Sequence, residues 1–91
     1  MRFVIEIGEW EKNRLDYQFN QLLGTMTIKV NERVLKKSVR LINEPVFEVH
    51  AFVVGEYEKS RVRIEKQRKQ LLGQRNCLYV NNRLVKVFDG V

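Results

Sequence analysis

GEYEKSRVRIEKQRKQLLGQRNCLYVNNRLVK, Gly55 to Lys86, decides the fold, because an earlier part of the same chain repeats it in outline. GEWEKNRLDYQF begins at Gly8, and IKVNERVLK begins at Ile28. Gly8, Glu9, Glu11, Lys12 and Arg14 meet Gly55, Glu56, Glu58, Lys59 and Arg61 at an offset of 47, with Trp10 opposite Tyr57. Further on, Val30, Asn31, Arg33 and Lys36 meet Val80, Asn81, Arg83 and Lys86 at an offset of 50. A QLLG string (Gln21 to Gly24, Gln70 to Gly73) lies between them at 49, so the second copy carries a small insertion. Two similar halves, approximately 1–40 and 46–91, make a single domain of 91 residues.

Each half reads as two β-hairpins. Phe3, Ile5 and Ile7 alternate with Val4 and Glu6, and Leu15, Tyr17 and Phe19 alternate with Asp16, Gln18 and Asn20, the period of strands with one apolar face. A hairpin across Gly8 to Asn13 joins them. Met26, Ile28 and Val30 open a second hairpin that turns at Asn31 and Glu32, where a two-residue type I′ turn demands positive φ at both positions. Asn81 and Asn82 fit the same turn better in the second copy. With Val30 and Arg33 flanking the turn, simple pairing sets Ile28 across from Leu35 and Leu78 across from Val85. Arg40 to Pro45 joins the halves, and Val46 to Val54 opens the second as Phe3 to Ile7 opens the first. Glu65 to Leu72 is made of good helix formers, so a short helix and an extended segment running into a loop both fit it. About eight strands in two repeats predict an all-β, antiparallel β-sandwich or small barrel with internal pseudo-symmetry, because two half-apolar sheets cover each other face to face.

A chain this short buries only roughly 60–65% of its unfolded surface, so the core is thin. Apolar residues at 44%, with five Phe, three Tyr and one Trp, still place it among folded domains. Cys77 is the single cysteine, which excludes an internal disulfide and favours a reducing, cytoplasmic compartment. The opening MRFVIEIGEWEK lacks the pattern of a signal peptide, and no apolar run approaches the ~18 residues of a membrane span.

Charge is the least even property. Lys59, Arg61, Arg63, Lys66, Arg68, Lys69 and Arg75 face one acid, Glu65, within residues 59–75, an excess equal to the net charge of +6 of the whole protein. Such a run can follow an anionic partner such as a phosphate backbone, and it can equally serve to guard exposed strand edges and keep the protein dissolved. His50, the only histidine, lies on the apolar strand with Phe52 and Val54 and reads as a packed residue, as does Cys77. Glu9, Glu11, Glu56 and Glu58 recur beside lysines, the pattern of exposed ion pairs. Trp10 and Tyr57 either cap the ends of the core or mark a contact surface, capping being the commoner arrangement. No phosphate loop, GxGxxG, HExxH or GxSxG motif is present, and no metal-ligand or cofactor-binding set is legible.

Phe52-Val53-Val54-Gly55, then Val62-Arg63-Ile64-Glu65, then Tyr79 to Val85 (YVNNRLV), resembles the repeated β-hairpins of the Fas apoptotic inhibitory molecule family and of small bacterial proteins of similar pattern. The resemblance covers mostly the second half, and Asn82 and Glu32 stand where such turns usually have Gly. It implies a non-enzymatic β-sandwich that binds other proteins and carries over no catalytic residues. The expected role is thus a protein-interaction or structural module that self-associates through a strand edge, with nucleic-acid binding by the basic run as the alternative.

Overall fold

The computed structural model describes residues 1–20, 23–39, 47–68 and 73–90. They form eight strands: β1 (Arg2–Ile7), β2 (Asn13–Asn20), β3 (Thr25–Val30), β4 (Arg33–Val39), β5 (Phe47–Val54), β6 (Ser60–Arg68), β7 (Gln74–Val80) and β8 (Arg83–Gly90). β1 to β4 make one antiparallel meander and β5 to β8 make another, each in sequence order. The two sheets lie face to face and do not close into a barrel, which settles the choice between sandwich and barrel. Of the segment 65–72, residues 65–68 continue β6 as strand, while 69–72, like the connection 40–46, lie outside the described residues.

Alternation drives the sheets together. In β2, Leu15, Tyr17 and Phe19 point inward, and in β6 so do Val62 and Ile64, with Ile28 and Leu78 beside them on β3 and β7. Each fully buried aliphatic side chain contributes about 1.5–3 kcal/mol of transfer free energy. Phe3 of β1 stacks on Phe88 of β8 at 3.8 Å between ring centroids, and Lys36 of β4 reaches His50 of β5, so β1 faces β8 and β4 faces β5. A pseudo-two-fold axis therefore relates the halves.

Their cores differ in chemistry. At the repeat offsets, His50 replaces Phe3, Lys66 replaces Phe19 and Asn76 replaces Met26. All three polar substitutes are buried. His50 is held by Lys36 Nζ at 2.9 Å from Nδ1 and by Glu48, 3.6 Å from Nε2. Lys66 Nζ lies 3.4 Å from the ring centroid of Phe19, its own repeat equivalent, a cation–π contact near the axis. His50 is thus a packed residue, as its place on an apolar strand indicates, whereas Lys66 leaves the basic run for the core.

The turns between β3 and β4 and between β7 and β8 are as the residues demand, with φ of 50° and 68° at Asn31 and Glu32 and 51° and 66° at Asn81 and Asn82. Both first-position asparagines also bond to the neighbouring strand. Arg14 N–H donates to Asn31 Oδ1 and Arg61 N–H donates to Asn81 Oδ1, which explains why the repeat keeps Asn there. The strand register departs from the simple expectation. Ile28 pairs with Lys36 and Leu78 with Lys86, because a β-bulge in each hairpin adds one residue, Leu35 or Val85, to the outer strand. Past the bulge, from Lys36 and Lys86 on, the outer strand's faces are exchanged; the bulged Leu35 and Val85, and Val34 and Leu84 on the turn side of them, are exposed.

Candidate functional site

Gly8 and Gly55, at φ +109° and +102°, reverse the chain between β1 and β2 and between β5 and β6. In that conformation successive backbone N–H groups converge, making a small anion-binding concavity in each turn. The anion comes from the other half. Glu11 Oε1 accepts the N–H of Tyr57 at 2.6 Å, of Glu58 at 2.9 Å and of Glu56 at 3.1 Å. Reciprocally, Glu58 Oε1 accepts the N–H of Trp10 at 2.6 Å, of Glu11 at 2.9 Å and of Glu9 at 3.1 Å. Each turn is braced by the carboxylate of its repeat mate. Glu11 and Glu58 are therefore not the exposed ion pairs that the lysines beside them suggest: their oxygens accept from backbone amides of the other turn.

These amides stabilise the charged carboxylates. The N–H of Glu56, with those of Glu58 and Tyr57, holds Glu11 down to a pKa of about 2, and the N–H groups of Glu9, Glu11 and Trp10 lower Glu58 in the same direction. A carboxylate lowered from its ordinary value of 4.5 adds stability that is complete above that value and is lost as the pH falls toward the folded-state value. Urea-unfolding midpoints of the wild-type domain should therefore fall as the pH drops from about 4.5 toward about 2. Glu11→Gln/Glu58→Gln should be less stable at neutral pH and show a flatter profile in that window. Equal slopes for the two proteins would mean that the reciprocal caps carry no stability.

The braced turns carry Trp10 and Tyr57, 89% and 90% exposed. Neither caps the core, so the commoner arrangement expected from sequence does not hold. Both rings stand at the same end of the sandwich, on turns joined by Glu11 and Glu58, and the turns hold them clear of the sheets.

Among the described residues of the basic run 59–75, Arg61, Arg63 and Arg75 share the outer face of the second sheet and Lys66 does not. Lys59, Arg61 and Arg68 are exposed, Lys66 points into the core, and Lys69 lies outside the described residues. Arg63 is tied to Glu65 at 2.8 Å, lies over the Tyr79 ring and donates to Asn82. Arg75 pairs with Asp89 at 3.0 Å. The period of two in β6 sends Arg61 and Arg63 to the outer face and Lys66 to the inner one, which a linear charge count does not see. Cys77 is half-buried on the outer face of β7, whereas His50 is on the inner face of β5, so the two are not a nucleophile and base pair. Among the described residues no cluster of His, Cys, Asp and Glu could hold a metal ion, and no helix is long and apolar enough to cross a membrane. No family model, curated protein or solved structure matches the chain.

Proposed function

We propose that this domain is a non-enzymatic protein-interaction module and that the braced turn end, with Trp10 and Tyr57 at its tips, is its contact surface. The observation that carries the reading is the near-complete exposure of both rings on turns fixed by reciprocal carboxylate caps. Large aromatic side chains bury much area on contact at small rotamer cost, and Trp and Tyr dominate binding hot spots. Turns that are already rigid lose little further entropy on binding. The resemblance to the Fas apoptotic inhibitory molecule family points the same way.

Trp10→Ser/Tyr57→Ser tests the reading without touching the core, because both side chains are exposed. Circular dichroism should show an unchanged fold. Affinity capture from a cell lysate should retain a set of proteins on the wild-type domain that the double variant loses, with a blue shift of Trp10 emission when a captured partner is added back. Identical sets on the two proteins would rule out the turn end as the contact surface.

A further inference from the structure

We infer that the β4–β5 side of the sandwich is a second docking site, which takes an acidic, extended segment of another protein as a strand added to β5. The argument starts from the backbone. β5 pairs along its whole length with β6 and with no other strand among the described residues, so its second row of N–H and C=O groups faces outward as a template for a further strand.

The other three edges are guarded. β1 carries Arg2 and Glu6 on its outer face, and β4 and β8 are each bulged and carry Lys and Arg. Such charges and bulges discourage strand addition. On β5 the outward residues are Phe47, Val49, Ala51 and Val53, with Phe47 at 55%, Val49 at 44% and Val53 at 56% exposure. No charge interrupts them.

Charge on the neighbouring strand selects the occupant. β4, which faces β5 across the seam between the sheets, bears Arg33, Lys36 and Lys37 and no acid, while the one acid of β5, Glu48, is turned inward to His50 and Lys66. A groove of about 330 Å³ opens between these two edges, its apolar wall made by Val34, Leu35 and Val53 with Arg33 beside them; Glu11 and Glu56 lie at its turn end. A strand laid along β5 alternates its side chains. One set continues the apolar stripe of Phe47, Val49 and Val53, and the other turns toward β4 and its bases, where acidic side chains are complementary. Two-fold pairing of two copies through β5 instead brings β4 against β4, base against base, and is opposed electrostatically. Trp10 and Tyr57 take no part in this site, so it stands or falls separately from the braced turn end.

The test uses the full chain and a fluorescein-labelled peptide of alternating Glu and Val, followed by fluorescence anisotropy at low ionic strength. Binding is expected, weakened roughly tenfold by Arg33→Glu/Lys37→Glu and by Val49→Lys, and absent for a Lys and Val peptide or for a Glu and Val peptide with alternate amides N-methylated. The β4 variants are exposed and keep the fold, so they decide the matter if Val49→Lys does not fold. The inference is overturned by equal binding of the Lys and Val peptide, by equal binding of the N-methylated peptide, by no binding at low salt, or by sedimentation showing a dimer of the chain that Val49→Lys dissolves.

Discussion

Gly55→Ala should destabilise the domain by at least about 2 kcal/mol, read as a fall in the midpoint of urea unfolding. At φ +102° an L side chain is strained whatever its surroundings, and here the surroundings are closed as well. A Cβ on Gly55 would stand 2.1 Å from the carbonyl oxygen of Glu58, in the same turn. That oxygen belongs to backbone, so relief requires the turn to open. Opening it withdraws the amides of Glu56, Tyr57 and Glu58 from Glu11, and it moves Glu58 away from the amides of Glu9, Trp10 and Glu11. One added methyl therefore loosens both turns. Gly8→Ala meets the same obstacle at Glu11 and should cost a similar amount, and the double variant should cost less than the two together because they break one shared network. A loss below about 0.5 kcal/mol for Gly55→Ala, the range of ordinary surface changes, would show that the turn accommodates a side chain.

Ile64→Ala should be the other severe substitution, at about 2–5 kcal/mol, because it removes three carbons from a site that the opposite sheet cannot refill. Ile64 is 0% exposed at the centre of β6, between His50 on β5 and Leu78 on β7. Domains of this kind have about 5–15 kcal/mol of stability in all, so the variant forfeits a large fraction of it. Ile64→Val should cost only about 1 kcal/mol. Val87→Ala, on the outer face of β8, should stay within about 0.5 kcal/mol. Equal losses at Ile64 and Val87 in thermal or urea unfolding would mean that the inner face is not the core.

Where chemistry is local, the chain was legible. Period-two alternation placed Leu15, Tyr17, Phe19, Val62 and Ile64 on the inner faces, and the asparagines at 31, 81 and 82 marked type I′ turns because few residues accept positive φ. The repeat then announced two equivalent halves. What escaped reading depends on partners distant in sequence. The bulges at Leu35 and Val85 leave no mark on an alternating pattern that already ends in charged residues. Lys66 sits in a run of bases, and only its parity in β6 and the position of Phe19 on the opposite sheet explain why it is buried. Trp10 and Tyr57 follow turn glycines, but which way those turns aim the rings is set by Glu11 and Glu58 reaching across from the other repeat. The twin Gly-Glu-aromatic-Glu-Lys strings carried that signal, since the second glutamate of each is the one that crosses.

Sequence alone determined that this protein is built of two similar sets of β-hairpins, because backbone preference and side-chain parity are properties of neighbouring residues. Tertiary structure alone decided that the halves brace each other's turns, that a lysine lies among core rings and that β5 is left as the unguarded edge. Those outcomes arise where two sheets meet, and the energy that fixes them belongs to pairs of residues held together only by the folded chain.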